Sequence, residues 1–299
     1  MDEILSTLLS SVRFATPLLF AALGAVICER SGVINLALEG AMLVGAFAAA
    51  SAAYVTGDPW VGLLAACVAG LGLAAIHAAA TVGFRSEQVV TGMALNILAL
   101  GATAFTSGAL FGTIGSTPRL DGGASLGGAS ALGLSGRAWL TAFGLAMVAV
   151  VAFAMFRTPW GLRLRAVGER PLAAEPAGIS VNAYRVAAVL ISGVLAALGG
   201  AYLSTAANTA FSRNMTAGRG FIALAAVILG RWHPVGALLG CLLFGFSEAV
   251  QIRVPRDTIP DQVLQVFPHV VTILVLVVWA GRSIPPAALG RPYQRGKAE

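Results

Sequence analysis

The stretch ERSGVINLALEGAM, residues 29–42, sets Glu29, Arg30 and Glu39 within eleven positions of one another. Residues 18–27 before it and 42–53 after it carry no charge. The chain is 58% hydrophobic and only 11% charged, so this cluster runs against its surroundings. A charged group inside or at the edge of a membrane is costly and marks a functional site by default. Two readings fit. In the first, residues 29–32 form an interfacial turn and Glu39 sits early in the next helix, where a carboxylate suits the positive dipole end. In the second, ERSG breaks a helix within the bilayer, which is tolerated only where the backbone is buried in protein or lines a wet cavity. Asn35 and Glu39 are four apart and share a face, which would present an amide and a carboxylate to a polar solute. Spacing alone leaves both readings open.

Whether this is a membrane protein follows from composition. Mean hydropathy is +0.85, whereas a soluble domain carries about a quarter charged residues. A bilayer needs about 20 apolar residues per helix. Segments of that kind recur at 14–28, 35–56, 60–82, 88–112, 137–156, 184–206, 235–252 and 263–281, with a shorter apolar piece at 220–229. The expected fold class is all-α: a polytopic membrane helical bundle of about 8–9 segments, with residues 1–299 forming a single transmembrane domain. The period-two alternation of a transmembrane barrel is missing from these segments. Residues 1–12, acidic at Asp2 and Glu3, do not read as a cleavable signal.

Of 19 basic residues only Lys297 is lysine, and the net charge is +6. This excess requires no nucleic acid, because cytoplasmic loops collect Lys and Arg. Arg157, Arg163, Arg165, Arg170 and Arg185 make 157–185 the expected cytoplasmic loop, and Arg282, Arg291, Arg295 and Lys297 place the tail on the same side. Parity then puts 29–34, 84–87 and 231–234 inside, with the Gly/Ser-rich 113–136 and the N-terminus outside. Trp60, Trp139, Trp160, Trp232 and Trp279 fall near span ends, as an interfacial aromatic belt would. Cys28, Cys67 and Cys241 lie in apolar segments without a CxxC pair and read as small buried hydrophobes. His77, His233 and His269 are scattered, and no spacing suggests metal ligands or a catalytic pair.

A faint repeat is visible. GVINLALEGAMLVG at 32–45 precedes PWVGLLAACVAGLG at 59–72, as GFIALAAVILG at 220–230 precedes HPVGALLGCLLFG at 233–245. Each pair has a Gly-led apolar half, a Pro-containing turn, then VG and further apolar residues. By the parity above the pairs run in opposite senses, the pattern of an inverted repeat in transporters. The 220–229 piece covers about half of the ~30 Å core at 1.5 Å per residue. Short Gly-interrupted segments in matching places point to a site near the midplane.

The run ERSGVINLALEGAMLVGAFAAA at 29–50 resembles the opening signature of permeases from ABC importers for nucleosides and related simple sugars. These belong to the larger group that includes ribose and branched-chain amino-acid permeases. The resemblance continues through SEQVVTGMALNILAL at 86–100, GLRLRAVGERPLAAEPAGISV at 161–181 and GFIALAAVILGRWHPVGALLGCLLFGFSEA at 220–249. It implies the membrane subunit of a bacterial inner-membrane importer. Its partners would be cytoplasmic ATPase subunits, a second permease chain (a different one or a copy) and an extracytoplasmic solute-binding protein. It leaves a nucleoside and a sugar as alternative solutes.

A P-loop needs G-x-x-x-x-G-K-[ST], and with Lys297 as the sole lysine this chain has none. ATP is therefore expected on the partner subunits, and this chain is expected to need no cofactor or metal of its own. The resemblance makes 161–181 the coupling segment, with Arg163, Arg165, Gly168, Glu169, Arg170, Glu175 and Gly178 as coupling residues. Pro171 is placed to begin a short helix. Pro176 departs from the family pattern, which has alanine there, and is expected to end or kink that helix near Glu175. Candidates for the solute path are polar residues on apolar helices: Glu29, Asn35, Glu39, Thr91, Asn96 and Asn208. Asn96 reads equally as an interhelical hydrogen-bonding residue, and Glu248 as interfacial. A secondary transporter driven by an ion gradient is the competing class, motivated by the inverted-looking repeat. An integral-membrane enzyme lacks any nucleophile–base pair.

Overall fold

The computed structural model describes residues 2–127, 130–131, 134–253, 270, 274, 277 and 284–294. The span expected at 263–281 falls almost wholly outside them, as do His269, Trp279, Arg282, Arg295 and Lys297. Ten α-helices carry the described fold: α1 (Asp2–Arg30), α2 (Leu38–Thr56), α3 (Pro59–Ala78), α4 (Gln88–Phe111), α5 (Gly136–Arg157), α6 (Pro159–Glu169), α7 (Pro171–Ala174), α8 (Val181–Ala201), α9 (Arg219–Leu229) and α10 (Pro234–Arg253). Among the described residues, seven helical segments are long and apolar enough to cross a membrane. Ser130–Ala131 and Leu134–Ser135 pair as a two-residue antiparallel ladder inside the loop expected outside.

Several boundaries differ from the expected spans for physical reasons. Helix α1 extends back to Asp2 and runs through Pro17, because Arg13 points outward and its charge does not interrupt the buried face. Helix α2 starts at Leu38 rather than 35, since 31–37 is not helical. The last part of the span expected at 184–206 is a π-helical stretch, Tyr202–Ala207, and α3 likewise ends in one at Ala79–Gly83. Such wide turns recur at functional sites. The loop expected at 157–185 is largely helical: Thr158 caps α6 by accepting from the Gly161 N–H at 3.2 Å. Pro171 opens α7, which ends at Ala174, just ahead of Glu175 and Pro176.

Helices α1, α2 and α8 form the centre, and α4 and α5 lie at the periphery with large apolar side chains exposed. Small residues allow the central helices to touch backbone to backbone, the way association proceeds where no aqueous hydrophobic drive exists. A Cβ on Gly24 of α1 would lie 2.7 Å from the Ser192 carbonyl oxygen of α8. A Cβ on Gly200 of α8 would run into the Met42 carbonyl of α2.

The two ends of the bundle segregate as the charge pattern predicts. At one end, Arg30 reaches Trp232, Gly290 donates to the Gly32 carbonyl at 3.1 Å, and Ala288 donates to the Gly168 carbonyl at 2.9 Å. At the other, the loop after α4 is knitted to the end of the π-helical segment by Leu120 N–H to Thr209 O at 2.7 Å and Leu126 N–H to Thr205 O at 2.9 Å. The Trp60 and Trp139 rings meet edge to face 5.2 Å apart.

Candidate functional site

The cluster that opened the sequence lies where α1 stops and α2 has not begun. Residues 31–37 leave the helix, and Ser31, Val33, Asn35 and Ala37 are each buried. A helix break at this depth needs its backbone groups satisfied internally. The protein supplies those partners from two other helices, α3 and α4. The Ile34 N–H donates to Gln88 Oε1 at 2.7 Å, and His77 Nε2 lies 3.3 Å from the Ile34 carbonyl oxygen. Asn96 Nδ2 donates to the Leu36 carbonyl at 2.9 Å, while its Oδ1 accepts from the Gly40 N–H at 2.8 Å. Asn35 closes the turn by accepting from the Ala37 N–H at 3.1 Å and donates to Ser192 Oγ at 3.0 Å.

The charged residues of the cluster reach outward from the break to α9 and α10. Glu29 accepts from the indole N–H of Trp232, both side chains being buried. Arg30 Nε donates to the Trp232 carbonyl at 2.9 Å and Nη2 to the Arg231 carbonyl at 3.3 Å. Arg231 and Trp232 form the α9–α10 turn with φ of +54° and +53°, a left-handed geometry disfavoured for large side chains. The Glu29–Arg30 clamp is what holds it. Beside this turn the His233 ring stacks on Phe156 at 4.8 Å. Burial and the nearby Arg30 charge hold its imidazole pKa below the ordinary 6.5.

Glu39 lies in the first turn of α2, and its carboxylate serves a different helix. Its two oxygens accept from the Gly218 N–H at 2.8 Å and the Gly220 N–H at 2.7 Å. Glu39 therefore caps the N-terminus of α9, where unpaired N–H groups and the helix dipole favour negative charge. Gly220 is required by this approach, since a Cβ there would lie 2.5 Å from the Glu39 nitrogen. With 11 residues, α9 spans about 16 Å at 1.5 Å per residue, half of a bilayer core. Glu248, expected to be interfacial, is paired with Arg219 at 2.5 Å, each side chain being 22% exposed. This ion pair is the accessible polar group beside the buried cap.

Among the other candidates, Thr91 returns its hydroxyl to the Glu87 carbonyl one turn back at 2.7 Å. Asn208 is exposed at the far end, after the π-helical segment. The structure thus gathers Glu29, Asn35, Glu39 and Asn96 around one break, whereas Thr91 bonds back to Glu87 and Asn208 to Leu203. Of the coupling residues, Arg163, Glu169, Arg170 and Gly178 are exposed and Gly168 is buried. Arg165 lies over the Phe156 ring at 4.8 Å, and Glu175 accepts from the Tyr293 hydroxyl. Sequence reasoning missed Gln88, His77, Ser192 and Trp232, all of which act on residues far away in the chain. A polar side chain at a helix start, such as Gln88, is a weak signal that could have marked one of them.

The model of the branched-chain amino acid transport system permease component matches residues 7–277. The guanosine ABC transporter permease protein NupQ of Bacillus subtilis is 39% identical over 99% of this chain and 98% of its own length. The nucleoside ABC transporter permease protein NupC of Lactococcus lactis is 37% identical over 95% of both chains. The glucose ABC transporter permease protein TsgB13 of Haloferax volcanii is 30% identical over 81% of this chain and 70% of its own. With a family match over most of its length, full-length relatives and seven spanning helices, the chain belongs to the integral-membrane permease components of ABC transporters.

Proposed function

We propose that this permease conducts a nucleoside inward, driven by ATP hydrolysed on partner subunits. Permeases of this family work with ATPase subunits and a solute-binding protein; the second permease, a different chain or a second copy, belongs to the proposal. The observation that carries the solute class is the 39% identity to a guanosine permease over nearly the whole of both chains. The site is compatible with an uncharged solute. An anion would seek the exposed N–H groups of a half-helix, and at α9 Glu39 already occupies them. Glu29, Asn35, Glu39 and Asn96 would act in the path by fixing its broken backbone. Thr91, Asn208 and the accessible Arg219–Glu248 pair would face the solute. Weak contact suffices, because a path that held solute tightly would trap it, and selection belongs on the binding protein.

The test is the complete complex in vesicles with ATP inside the compartment that holds the ATPase subunits. Uptake of labelled guanosine, with no uptake of guanosine monophosphate or glucose, is expected. Uptake of glucose instead would keep the mechanism and overturn the solute. Flux that persists without ATP and follows an ion gradient would overturn the importer.

The exposed face of 161–178 would meet the ATPase. Arg163 is exposed while Arg165 is turned onto Phe156, so Arg163→Glu is the cleaner probe of docking. Surface ion pairs contribute about 0.2–1 kcal/mol, and charge reversal should lower solute-stimulated ATP hydrolysis by about two- to fivefold on that scale. Unchanged stimulation would remove Arg163 from the docking face.

A further inference from the structure

The segment 284–294 crosses the same end of the bundle as the coupling residues, and it is bonded to four separate places there. Ala288 N–H donates to the Gly168 carbonyl of α6 at 2.9 Å, and Ala287 N–H to Glu169 Oε2 at 3.3 Å. Two residues later Gly290 N–H donates to the Gly32 carbonyl in the α1–α2 break at 3.1 Å. Arg185 of α8 donates from Nη1 to the Arg291 carbonyl at 2.8 Å. The Tyr293 hydroxyl donates to Glu175 just after α7, and its ring packs on Val167, Ala174 and Val181.

Beneath this strap the coupling segment and the break touch directly. Gly168 is buried, and a Cβ there would run into the Arg30 carbonyl oxygen and lie 3.2 Å from the Gly32 nitrogen. From the other side, a Cβ on Gly32, whose φ is +92°, would lie 3.5 Å from the Gly168 Cα. At Gly168 a side chain would have to move backbone, and at Gly32 the left-handed φ favours glycine. Arg30, in turn, grips the α9–α10 turn.

We propose that Gly168, Gly32 and the strap 284–294 form a joint that transmits movement of the coupling segment into the α1–α2 break. This rests on the importer reading above and assigns Gly168 an internal positioning role instead of a place in the ATPase docking face. The physical reason is stiffness. Backbone-to-backbone contact, with the strap hydrogen-bonded to each side of it, leaves no compliant side chain to absorb a displacement. A movement of α6 and α7 therefore passes to α1 and α2, and through Arg30 to α9 and α10.

The test uses the complete reconstituted complex and measures solute moved per ATP hydrolysed, with co-purification of the ATPase subunits as the control for docking. Gly168→Ala inserts a methyl group at the contact, and Tyr293→Phe removes one hydroxyl from the strap. Gly72→Ala, at a helical glycine whose Cβ would meet nothing within 4 Å, controls for glycine replacement. G168A is expected to bind the ATPase subunits and hydrolyse ATP, while solute moved per ATP falls by about tenfold or more, within the ~5–150-fold range of ordinary site-to-site coupling. Y293F should shift the same ratio in the same direction, by less, and decides the matter if G168A does not fold. A wild-type ratio in both variants overturns the joint. So does loss of ATPase binding in G168A, because that would return Gly168 to the docking face. If the wild-type complex shows no ATP-driven uptake, the importer reading and the joint fall together, whereas uptake in wild type with unaltered ratios sinks the joint alone.

Discussion

Glu39→Ala is expected to cut uptake about tenfold or more while the complex still assembles, 1.4 kcal/mol being a factor of ten in an equilibrium constant. The carboxylate accepts two backbone N–H groups at the start of α9. Hydrogen bonds to a charged group contribute about 1.5–3 kcal/mol each, so the two together hold α9 by about 3 kcal/mol or more. Alanine leaves the buried Gly220 donor and the half-buried Gly218 donor without this acceptor and removes the negative charge from the dipole end. A half-helix so released loses its fixed position against α10, where its own Arg219 pairs with Glu248, although the contacts of α1 and α8 that hold the bundle are untouched. Glu39→Gln keeps one good acceptor and brings an NH2 group against the second N–H, so it should lie between wild type and E39A. Uptake with the complete complex and the thermal midpoint of the purified permease check this together. Wild-type uptake in E39A would mean that the cap on α9 has no part in transport.

The second large effect is at Trp232. Its indole is 5% exposed and donates to Glu29, itself 5% exposed. Trp232→Ala empties a buried aromatic volume, a change that costs about 3–5 kcal/mol, and strips a buried carboxylate of its donor. Trp232→Phe retains most of the packing and loses only the N–H, which should cost about 1.5–3 kcal/mol. The difference between the two variants in denaturation midpoint separates packing from the Glu29 bond. If W232F is as stable as wild type, the Glu29–Trp232 bond contributes nothing and the turn is held by Arg30 alone. Both variants should also lower uptake, because the α9–α10 turn carries left-handed φ values at two large residues and is sustained by its partners.

The two effects share a cause. Glu29, Arg30 and Glu39 are costly to place among apolar helices, yet each is bonded to a backbone or side-chain group that would otherwise be unsatisfied. Glu29 and Arg30 hold the turn after α9, and Glu39 holds its start. The short helix is fixed at both ends by one stretch of 14 residues.

The chain by itself determined the class of fold, the approximate spans and the grouping of loops at two ends. Hydropathy is a sum over about 20 neighbouring residues, and arginine placement is read loop by loop; both are local quantities, legible without a partner. The short apolar piece at 220–229 was visible for the same reason, and α9 covers Arg219–Leu229. Pro171 and Pro176 bounded the short helix α7, since proline acts on its own backbone and on the residue before it. The π-helical stretches at Ala79–Gly83 and Tyr202–Ala207 were not visible, because a wide turn leaves no mark in composition.

The tertiary structure alone decided which group each polar residue meets. Glu39 and Gly220 are separated by 181 positions, Glu29 and Trp232 by 203, and Glu175 and Tyr293 by 118. A pattern read within one helix cannot name a partner at such distance. The sequence could state only that a buried carboxylate or amide needs one. Packing supplied it, because close contact at glycines such as Gly24, Gly168 and Gly200 brings backbones near enough for a single side chain to span the gap. The cost of placing charge at 29–42 is therefore a property of the sequence, and the fold decides where that cost is offset.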